Sequence, residues 1–460
     1  MNLLRKYIGD RAFYRTVLIV ALPIMLQNFI TNFVSMLDNI MIGATGTEQM
    51  TGVSIVNQLL FIFYLTVFGA ISGAGIFTAQ FYGKSDEKGM RYTFRYKLLV
   101  VTALFAAAAL LLTFCGDRFI SLFLHDVEPG ADIAQTLVFG REYLAVMLWG
   151  LFPFAVANAF SGTLRETGDT LMPMIAGMCA VAVNCTFNWF LIFGKCGFPE
   201  LGVRGAAIAT VMSRYVECAV LIIYTFARRG KFTYIKGLFR GFSIPGELFS
   251  AFSLKGLPFL FNEIFWAGGM TVLNIAYSLH GLSVVAGVSI SSTVTNLFNI
   301  AFMSLGVSIG IISGKLLGAD KHKEAVDTVR KLIAFSFTVS VVVGIAMFFL
   351  GGKITSFYKT GEQSKQLATY FIRTCALITP VFALTNATFF TLRSGGKTIV
   401  TMLFDSGVLW GLSIPLAFLL YYKAHLDIHA VYPIIQALES IKMIIGLILV
   451  KKKVWVRTII

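Results

Sequence analysis

The sequence of 460 residues predicts an all-α integral membrane protein with about twelve transmembrane helices in two six-helix lobes. The chain is 57% hydrophobic and 13% charged, whereas a soluble domain is about 45–50% apolar and about 25% charged. Apolar runs long enough to cross a bilayer, roughly 20 residues each, recur along the chain. An internal repeat divides these runs into two sets, and this repeat predicts the two lobes.

The apolar runs give the predicted helices in chain order. Several runs exceed the length that a perpendicular helix needs, so tilted or kinked helices are expected. The predicted spans lie near residues 16–43, 51–81, 98–115, 133–160, 171–194, 203–227, 256–279, 284–314, 332–350, 367–392, 398–421 and 430–450.

The two halves of the chain repeat each other. The pairs that lie 235 residues apart are Pro23 and Pro258, Gly75 and Gly310, Gly83 and Gly318, Arg95 and Arg330, and Ser121 and Ser356. The pairs that lie 228 residues apart are Asn158 and Asn386, Leu164 and Leu392, Arg165 and Arg393, Gly168 and Gly396, and Thr170 and Thr398. Because six helices return the chain to its starting side, the repeats are parallel and related by a pseudo-two-fold axis along the membrane normal.

This repeat predicts a division into an N-lobe at residues 1–227, a linker at residues 228–255 and a C-lobe at residues 256–460. The linker is basic and Gly-rich, contains Pro245, and is long enough to let the halves move. Parallel repeats are typical of transporters whose halves rock around a shared central site.

The distribution of Lys and Arg predicts the orientation in the cell membrane. With a cytoplasmic N-terminus, the inner segments hold most of the basic residues, and both termini lie in the cytoplasm. One inner loop holds Lys84, Lys88, Arg91, Arg95 and Lys97, whereas one outer loop with Lys353, Lys359 and Lys365 runs against the trend. The net charge of +15 is explained by basic loops that face anionic membrane lipids, and it requires no nucleic-acid partner.

A nucleotide-driven pump is not supported by the sequence. The segment TAQFYGKS resembles the end of a phosphate-binding loop, but Thr78 occupies the position at which that motif needs its first glycine. We therefore expect no nucleotide and no cofactor, and an ion gradient as the driving force.

Ionisable side chains inside the predicted spans are the candidate functional residues. An acid at a helix centre costs about 2.5–3.5 kcal/mol on insertion scales, so each one needs a physical reason. Arg214 and Glu217 have i,i+3 spacing, as do Glu439 and Lys442. Such pairs can meet on one helix face and neutralise each other.

Three acids have no such neighbour in the sequence, namely Asp38, Glu263 and Asp405. Their negative charge, facing a shared cavity, would attract cations. The repeat places Glu263 opposite Asn28 and Asp38 opposite Leu273, so the two halves differ in their acids. We assign ion coupling to the first half, and a substrate site or second cation site to Glu263, Asp405 and Asn28.

Asp38 lies five residues before Gly43, where the first span ends, and is thus about 7–8 Å below the outer surface. Asn184 and Asn188 are one turn apart on the fifth span, and Thr210 lies at similar depth on the sixth. These four side chains are expected to form one polar pocket. We expect no metal beyond a possible Na⁺ at Asp38.

The chain resembles the multidrug and toxic compound extrusion (MATE) transporters of the bacterial kind. The resemblance covers nearly the whole length and implies twelve helices in two lobes around a V-shaped cavity. It also implies antiport of Na⁺ or H⁺ against small cationic, amphipathic molecules, without enzymatic activity. The segments that carry it are LPIMLQNFITNFVSMLDNIMIG at 22–43, FSGTLRETGDT at 160–170, NCTFNWFLIFG at 184–194, LGVRGAAIAT at 201–210, GLPFLFNEIFWAGGM at 256–270 and FFTLRSGGKT at 389–398.

The resemblance also carries over single residues. The acid of the family's first helix falls on Asp38. The Asn-xxx-Asp pattern of its fifth helix falls on Asn184 and Asn188, so this chain has Asn where some members have Asp. That difference removes one carboxylate and leaves the choice between Na⁺ and H⁺ open. Thr210 matches a family hydroxyl, and Glu263 lies in a helix in which members of the better-known type place acids.

Three alternatives remain. A lipid-linked precursor flippase of the same superfamily would share the repeat, but usually has more helices and a more basic cavity. A major facilitator transporter places Asp four residues after Gly in its loop motif, whereas Asp86 follows Gly83 by three. An intramembrane enzyme would need paired acids, or a nucleophile with a base, and the sequence offers no such cluster.

Overall fold

A computed structural model describes residues 6–43, 46–122, 133–241, 243–358 and 360–460. In this part of the chain, twelve helices are long and apolar enough to cross a membrane. The first six are α1 (Arg11–Gly43), α2 (Thr47–Lys84), α3 (Glu87–Leu122), α4 (Ile133–Glu166), α5 (Leu171–Phe193) and α6 (Gly202–Ala227). The last six are α7 (Gly246–Ser278), α8 (Leu282–Gly318), α9 (His322–Thr355), α10 (Glu362–Ser394), α11 (Thr398–Tyr422) and α12 (Ile428–Lys451).

The predicted spans coincide with these helices, but many helices extend beyond the apolar run. The largest extension is in α3, which begins at Glu87, whereas the apolar run begins near residue 98. Lys97, expected in an inner loop, therefore lies within α3 and is fully buried. Within α11, Leu409–Ser413 form a π-helical turn, a local irregularity that is common at functional sites.

By packing, the chain divides into two compact units. The first-half unit comprises Leu26–Thr78 and Glu87–Ser253, and the second-half unit comprises the residues up to Met25, Ala79–Asp86 and Leu254–Ile460. The end of α2 thus belongs with the second half, and the linker as far as Ser253 belongs with the first. The predicted lobe boundaries stay a prediction, because this division follows packing rather than the sequence repeat.

Within the second-half unit, the end of α2 contacts α8 at two glycines that the repeat pairs with each other. A Cβ atom on Gly83 would lie 2.0 Å from the carbonyl oxygen of Lys315, and one on Gly318 would lie 1.9 Å from that of Gln80. Real Cβ atoms do not approach so closely, so only glycine permits the two backbones to meet here. The Gln80 side chain also donates to the carbonyl of Ser394 at 3.0 Å and accepts from the amide of Ile459 at 2.9 Å.

The linker after α6 is bound to α3 rather than extended as a free tether. The guanidinium of Arg95 donates to the carbonyls of Leu238 at 2.8 Å, Gly237 at 2.7 Å, Arg240 at 2.9 Å and Ser243 at 3.1 Å. Because a guanidinium carries several donors in a fixed planar arrangement, one side chain can hold several carbonyls of a turn. This attachment limits the freedom that the composition of the linker suggested.

A second attachment joins the linker to the loop between α4 and α5. Asp169 accepts from Lys231 Nζ at 2.7 Å and from the Tyr224 hydroxyl at 2.9 Å. Burial opposes ionisation of Asp169, but these hydrogen bonds outweigh burial and hold its pKa below the usual value. The Asp169 hydrogen bond conversely raises the pKa of Lys231. The pair is therefore ionised at neutral pH.

We predict that Arg95→Gln frees the linker. Hydrogen bonds to a charged group contribute about 1.5–3 kcal/mol each, so their loss should accelerate trypsin cleavage after Lys236 and Arg240 by at least about tenfold. The matched control is Arg330→Gln, which removes the same charge at the equivalent repeat position, where Arg330 lies 4.0 Å from Asp327. Equal cleavage rates in both variants would contradict the role of Arg95 in holding the linker.

Candidate functional site

The polar pocket expected in the first half is present. Asn188 Nδ2 donates to Asp38 Oδ1 at 2.6 Å and lies 3.2 Å from Asn184 Oδ1. The Asn184 amide in turn contacts the Thr210 hydroxyl at 3.3 Å. Helices α1, α5 and α6 each contribute to this cluster, and Asn184 and Asn188 are buried. The structure thus brings together all four residues that the sequence assigned to ion coupling.

The Asn184 amide can take two orientations, and each satisfies a different set of its neighbours. In one, Oδ1 accepts from Asn188 Nδ2. In the other, Nδ2 donates to Asp38 Oδ1 at 2.9 Å and Oδ1 accepts from the Thr210 hydroxyl at 3.3 Å, but Nδ2 then faces Asn188 Nδ2 at 3.2 Å and the hydrogen bond from Asn188 is lost. Because an amide offers both donors and an acceptor, rotation about one bond adapts it to either protonation state of Asp38.

One acceptor in the pocket has no partner. Among the described residues, Asn188 Oδ1 is buried without a hydrogen bond, although Asn188 is only 1% exposed. A buried acceptor left unpaired is costly. Together with the Asp38 carboxylate and the Thr210 hydroxyl, it forms a set of hard oxygen ligands, which are the kind that hard cations prefer.

Arg214 introduces a positive charge near this pocket. It lies one turn after Thr210 on α6, and its charge acts on Asp38, although Asp38 forms no ion pair with a described residue. Arg214 is paired with Glu217 at 3.3 Å, as the i,i+3 spacing predicted. Its guanidinium also lies 5.0 Å from the ring centroid of Phe154. The environment of Asp38 therefore contains a nearby cation that sequence spacing did not connect to it.

A line of alternating charges continues from Arg214 through the first-half unit. Arg165 lies within range of the charges of Glu217 and Glu166, and Glu166 forms an ion pair with the fully buried Lys97. Lys97 Nζ also donates to Thr163 Oγ1 at 3.1 Å. Sequence reasoning missed this network because Lys97 was counted as a loop residue.

In the second half, Asp405 has no neighbour of opposite charge on its own helix, but it has a partner on another helix. Lys442 Nζ lies 3.1 Å from Asp405 Oδ1 and 2.8 Å from Glu439 Oε1. Asn262 Nδ2 donates to Asp405 Oδ2 at 3.2 Å. The predicted pairing of Glu439 with Lys442 is correct, but the same ammonium also reaches from α12 to α11. Sequence spacing detects only partners on the same helix, so it could not find this contact.

Glu263 differs from Asp405, because it forms no ion pair with a described residue. It lies half-buried on α7 next to Asn262, and the charges of Arg393 and Asp405 act on it. Asn28, its counterpart in the repeat, is half-buried on α1. Its backbone carbonyl accepts from the Asn32 side chain at 2.9 Å. The two residues belong to different compact units.

Comparison with known proteins identifies the family. The sequence profile of the family described as MatE matches residues 23–190 and 258–419, one segment in each half of the repeat. The chain belongs to the MatE family. The transporter class and the resemblance derived from the motifs are thereby confirmed, since members of this family are transporters and not enzymes.

Individual MatE relatives and structures agree with this membership. The chain is 26% identical over 407 residues to a probable multidrug resistance protein NorM of Thermotoga maritima, covering 87% of this chain and 84% of that protein. A solved outward-facing conformation of a multidrug resistance MATE family transporter superimposes with a TM-score of 0.86 at 18% identity, over 98% of this chain and 97% of that one.

A MOP superfamily transporter from Pyrococcus furiosus, described as having a binding pocket of reverse polarity that suggests a different function, matches with a TM-score of 0.86. The identity is 18%, and the match covers 98% of this chain and 97% of that one. These solved structures confirm the predicted fold of two six-helix lobes. Because proteins described as differing in function share the fold, function must be argued from the site.

We predict that the Lys97–Glu166 pair supports the first-half unit. Lys97→Met removes the buried ammonium beside the half-buried Glu166 carboxylate. Breaking a buried pair typically costs about 3–5 kcal/mol, and Lys97→Met combined with Glu166→Gln should recover most of that loss. Denaturant unfolding of the purified protein measures both. Arg141→Met is the control, because Arg141 and Asp117 form an exposed pair of a kind worth about 0–1 kcal/mol. A double variant no more stable than the single one would contradict this role.

Proposed function

We propose that this protein is a secondary active antiporter of the cell membrane. It exports small cationic, amphipathic compounds in exchange for Na⁺ or H⁺, and the Asp38 pocket binds the exchanged ion. The observation that most directly supports this proposal is the cluster of Asp38, Asn184, Asn188 and Thr210. In this cluster, the buried Asn188 Oδ1 has no partner among the described residues.

Neutral amides around Asp38 allow reversible ion uptake. The ionised carboxylate accepts from Asn188 and, in one orientation, from Asn184. When a proton or Na⁺ arrives, Asn184 turns its oxygen toward Asp38. A protonated Asp38 then donates to that oxygen, whereas a bound Na⁺ is coordinated by it. No fixed ammonium has to be displaced, so the cation can enter and leave as the pocket changes its exposure.

The substrate class is supported by relatives and by the sign of the charges. The Thermotoga maritima protein is described as a probable multidrug resistance protein, and export of diverse compounds is therefore proposed for this chain. Glu263, half-buried and without an ion pair in the described part of the chain, supplies a negative charge for a cationic substrate. Aromatic and Met side chains, with 43 Phe and 16 Met in the sequence, suit flat cations by adaptable packing.

The proposed orientation places both termini in the cytoplasm, as the distribution of Lys and Arg predicts. Multi-pass insertion is supported by twelve apolar helices in the described residues. Anionic lipids at the inner surface would face the basic loops.

The primary test is efflux of a fluorescent lipophilic cation from proteoliposomes, with a Na⁺ gradient and a pH gradient imposed separately. We predict that one gradient drives export and that Asp38→Asn abolishes it, because the amide cannot release or bind a cation as a carboxylate does. Asp117→Asn, which removes an exposed acid at the end of α3, is the control and should export normally. Gradient-driven export by the Asp38 variant would refute the assignment. If neither gradient moves the cation, the lipid-precursor flippase becomes the leading alternative.

We further predict opposite effects from the two charges of the Arg214–Glu217 pair. Arg214→Gln removes a positive charge near Asp38 and should raise cation affinity, whereas Glu217→Gln leaves Arg214 unneutralised and should lower it. One charge at short range and an effective dielectric constant of about 20 acts on the scale of a few kcal/mol, so changes of about tenfold or more are expected. The half-saturating ion concentration for efflux measures both. Shifts in the same direction would show that the pair acts only on folding.

A further inference from the structure

The second half contains a site with the chemistry of a cation pocket, yet a cation of the protein already occupies it. The oxygens of Asp405 and Glu439 converge on the Lys442 ammonium at 3.1 Å and 2.8 Å. The side chain of Lys442 is 6% exposed. Carboxylate oxygens around a desolvated positive charge are also the ligands that a small hard cation would receive.

The support around this site fixes it in place. Asn262 on α7 donates to Asp405, and the Ser406 hydroxyl donates to the Asn262 side-chain oxygen at 2.8 Å. Asp405 on α11 therefore connects three helices, because it contacts Asn262 on α7 and Lys442 on α12. The π-helical turn Leu409–Ser413 follows Asp405 directly on α11.

Lys442 is well suited to replace a free ion. Its ammonium is a compact point charge with three donors, so it can satisfy two carboxylates at once. Arg393 supplies a second positive charge within range of Glu263. Asp405, Glu439 and Glu263 carry three negative charges in this region, and Lys442 and Arg393 carry two positive charges. The net charge is therefore −1, and removing the Lys442 ammonium would make it −2.

The pocket of the first half is built differently. Asp38 is surrounded by neutral amides and a hydroxyl, and among the described residues Asn188 Oδ1 is left without a donor. The nearby Arg214 is paired with Glu217. Among the described residues, the first half thus presents a carboxylate without an ion pair, and the second half presents a carboxylate pair with its cation attached.

We propose that Lys442 is a tethered cation that fills the carboxylate site of the second half. This half then binds no exchangeable ion, and ion exchange is confined to the Asp38 pocket. The claim that Lys442 fills the carboxylate site concerns ion binding alone. The claim that ion exchange is confined to the Asp38 pocket rests on the proposed antiport function.

The test measures thermal stability of the full-length protein against Na⁺ concentration, with choline keeping ionic strength constant. All variants carry Asp38→Asn, which removes the carboxylate of the first-half pocket. In that background, Na⁺ should not change the melting temperature. Adding Lys442→Met should create a Na⁺ site, and saturating Na⁺ should raise the melting temperature by at least about 3 °C.

Two controls isolate the charge of Lys442. Lys442→Arg keeps the positive charge and should remain insensitive to Na⁺. Lys442→Met combined with Asp405→Asn and Glu439→Gln removes the whole ion cluster, and it should be insensitive as well. If Lys442→Met can be purified only in the presence of Na⁺, that dependence itself supports a created cation site.

Several outcomes would overturn the proposal. A Lys442→Met variant whose melting temperature does not change with Na⁺ concentration would show that the carboxylates do not form a cation site. Na⁺ stabilisation with Lys442 present, abolished by Asp405→Asn, would show that an exchangeable ion binds beside the ammonium. If Lys442→Met cannot be purified under any condition, the neutral triple variant with Asp38 intact decides. Stabilisation by Na⁺ equal to that of the unaltered protein supports confinement to the first half, and weaker stabilisation of a folded protein refutes it.

These results separate the two proposals. Failure of Asp38→Asn to abolish efflux would refute the coupling role of Asp38 but leave the stability measurements valid. Conversely, a second half that binds Na⁺ in the presence of Lys442 would refute the tethered cation and leave Asp38-dependent efflux unaffected.

Discussion

Neutralisation of buried charge is the constraint on which the rest of this structure depends. A carboxylate within apolar helices is tolerated only with hydrogen bonds or a counter-charge. Asp405 and Glu439 share the Lys442 ammonium, and Glu166 pairs with Lys97. Asp38 has no ion pair among the described residues and relies on amides. The kind of neutralisation therefore distinguishes the structural acids from the candidate transport acid.

This distinction has a mechanistic basis. A tethered ammonium loses little translational freedom when it meets a carboxylate, so an incoming ion competes with it poorly. An amide can instead turn, because it carries donors on one side and an acceptor on the other. The two orientations of Asn184 reach different partners without moving a helix. A pocket of amides can thus stabilise both the empty and the loaded carboxylate, which reversible exchange requires.

The sequence predicted the fold well because the membrane imposes a strong rule, since each spanning segment must satisfy its own backbone as a helix. It also predicted the Asp38 pocket, because depth along helices of known rise can be compared. It missed the pairing of Asp405 with Lys442 and the burial of Lys97. Both depend on which helices are neighbours and where a helix passes beyond its apolar run, and neither is encoded in local periodicity.

The two copies of the repeat share glycines that the backbone contacts require, but they differ in their charged residues. Gly83 and Gly318 recur because each must permit close approach of α2 and α8. Asp169, by contrast, is replaced by Lys397 in the second half. The acid binds Lys231 of the linker, a segment that follows only the first half. Since the two copies share their scaffold but not their ionic partners, the halves can take different roles within one fold, with exchange assigned to one and fixed neutralisation to the other.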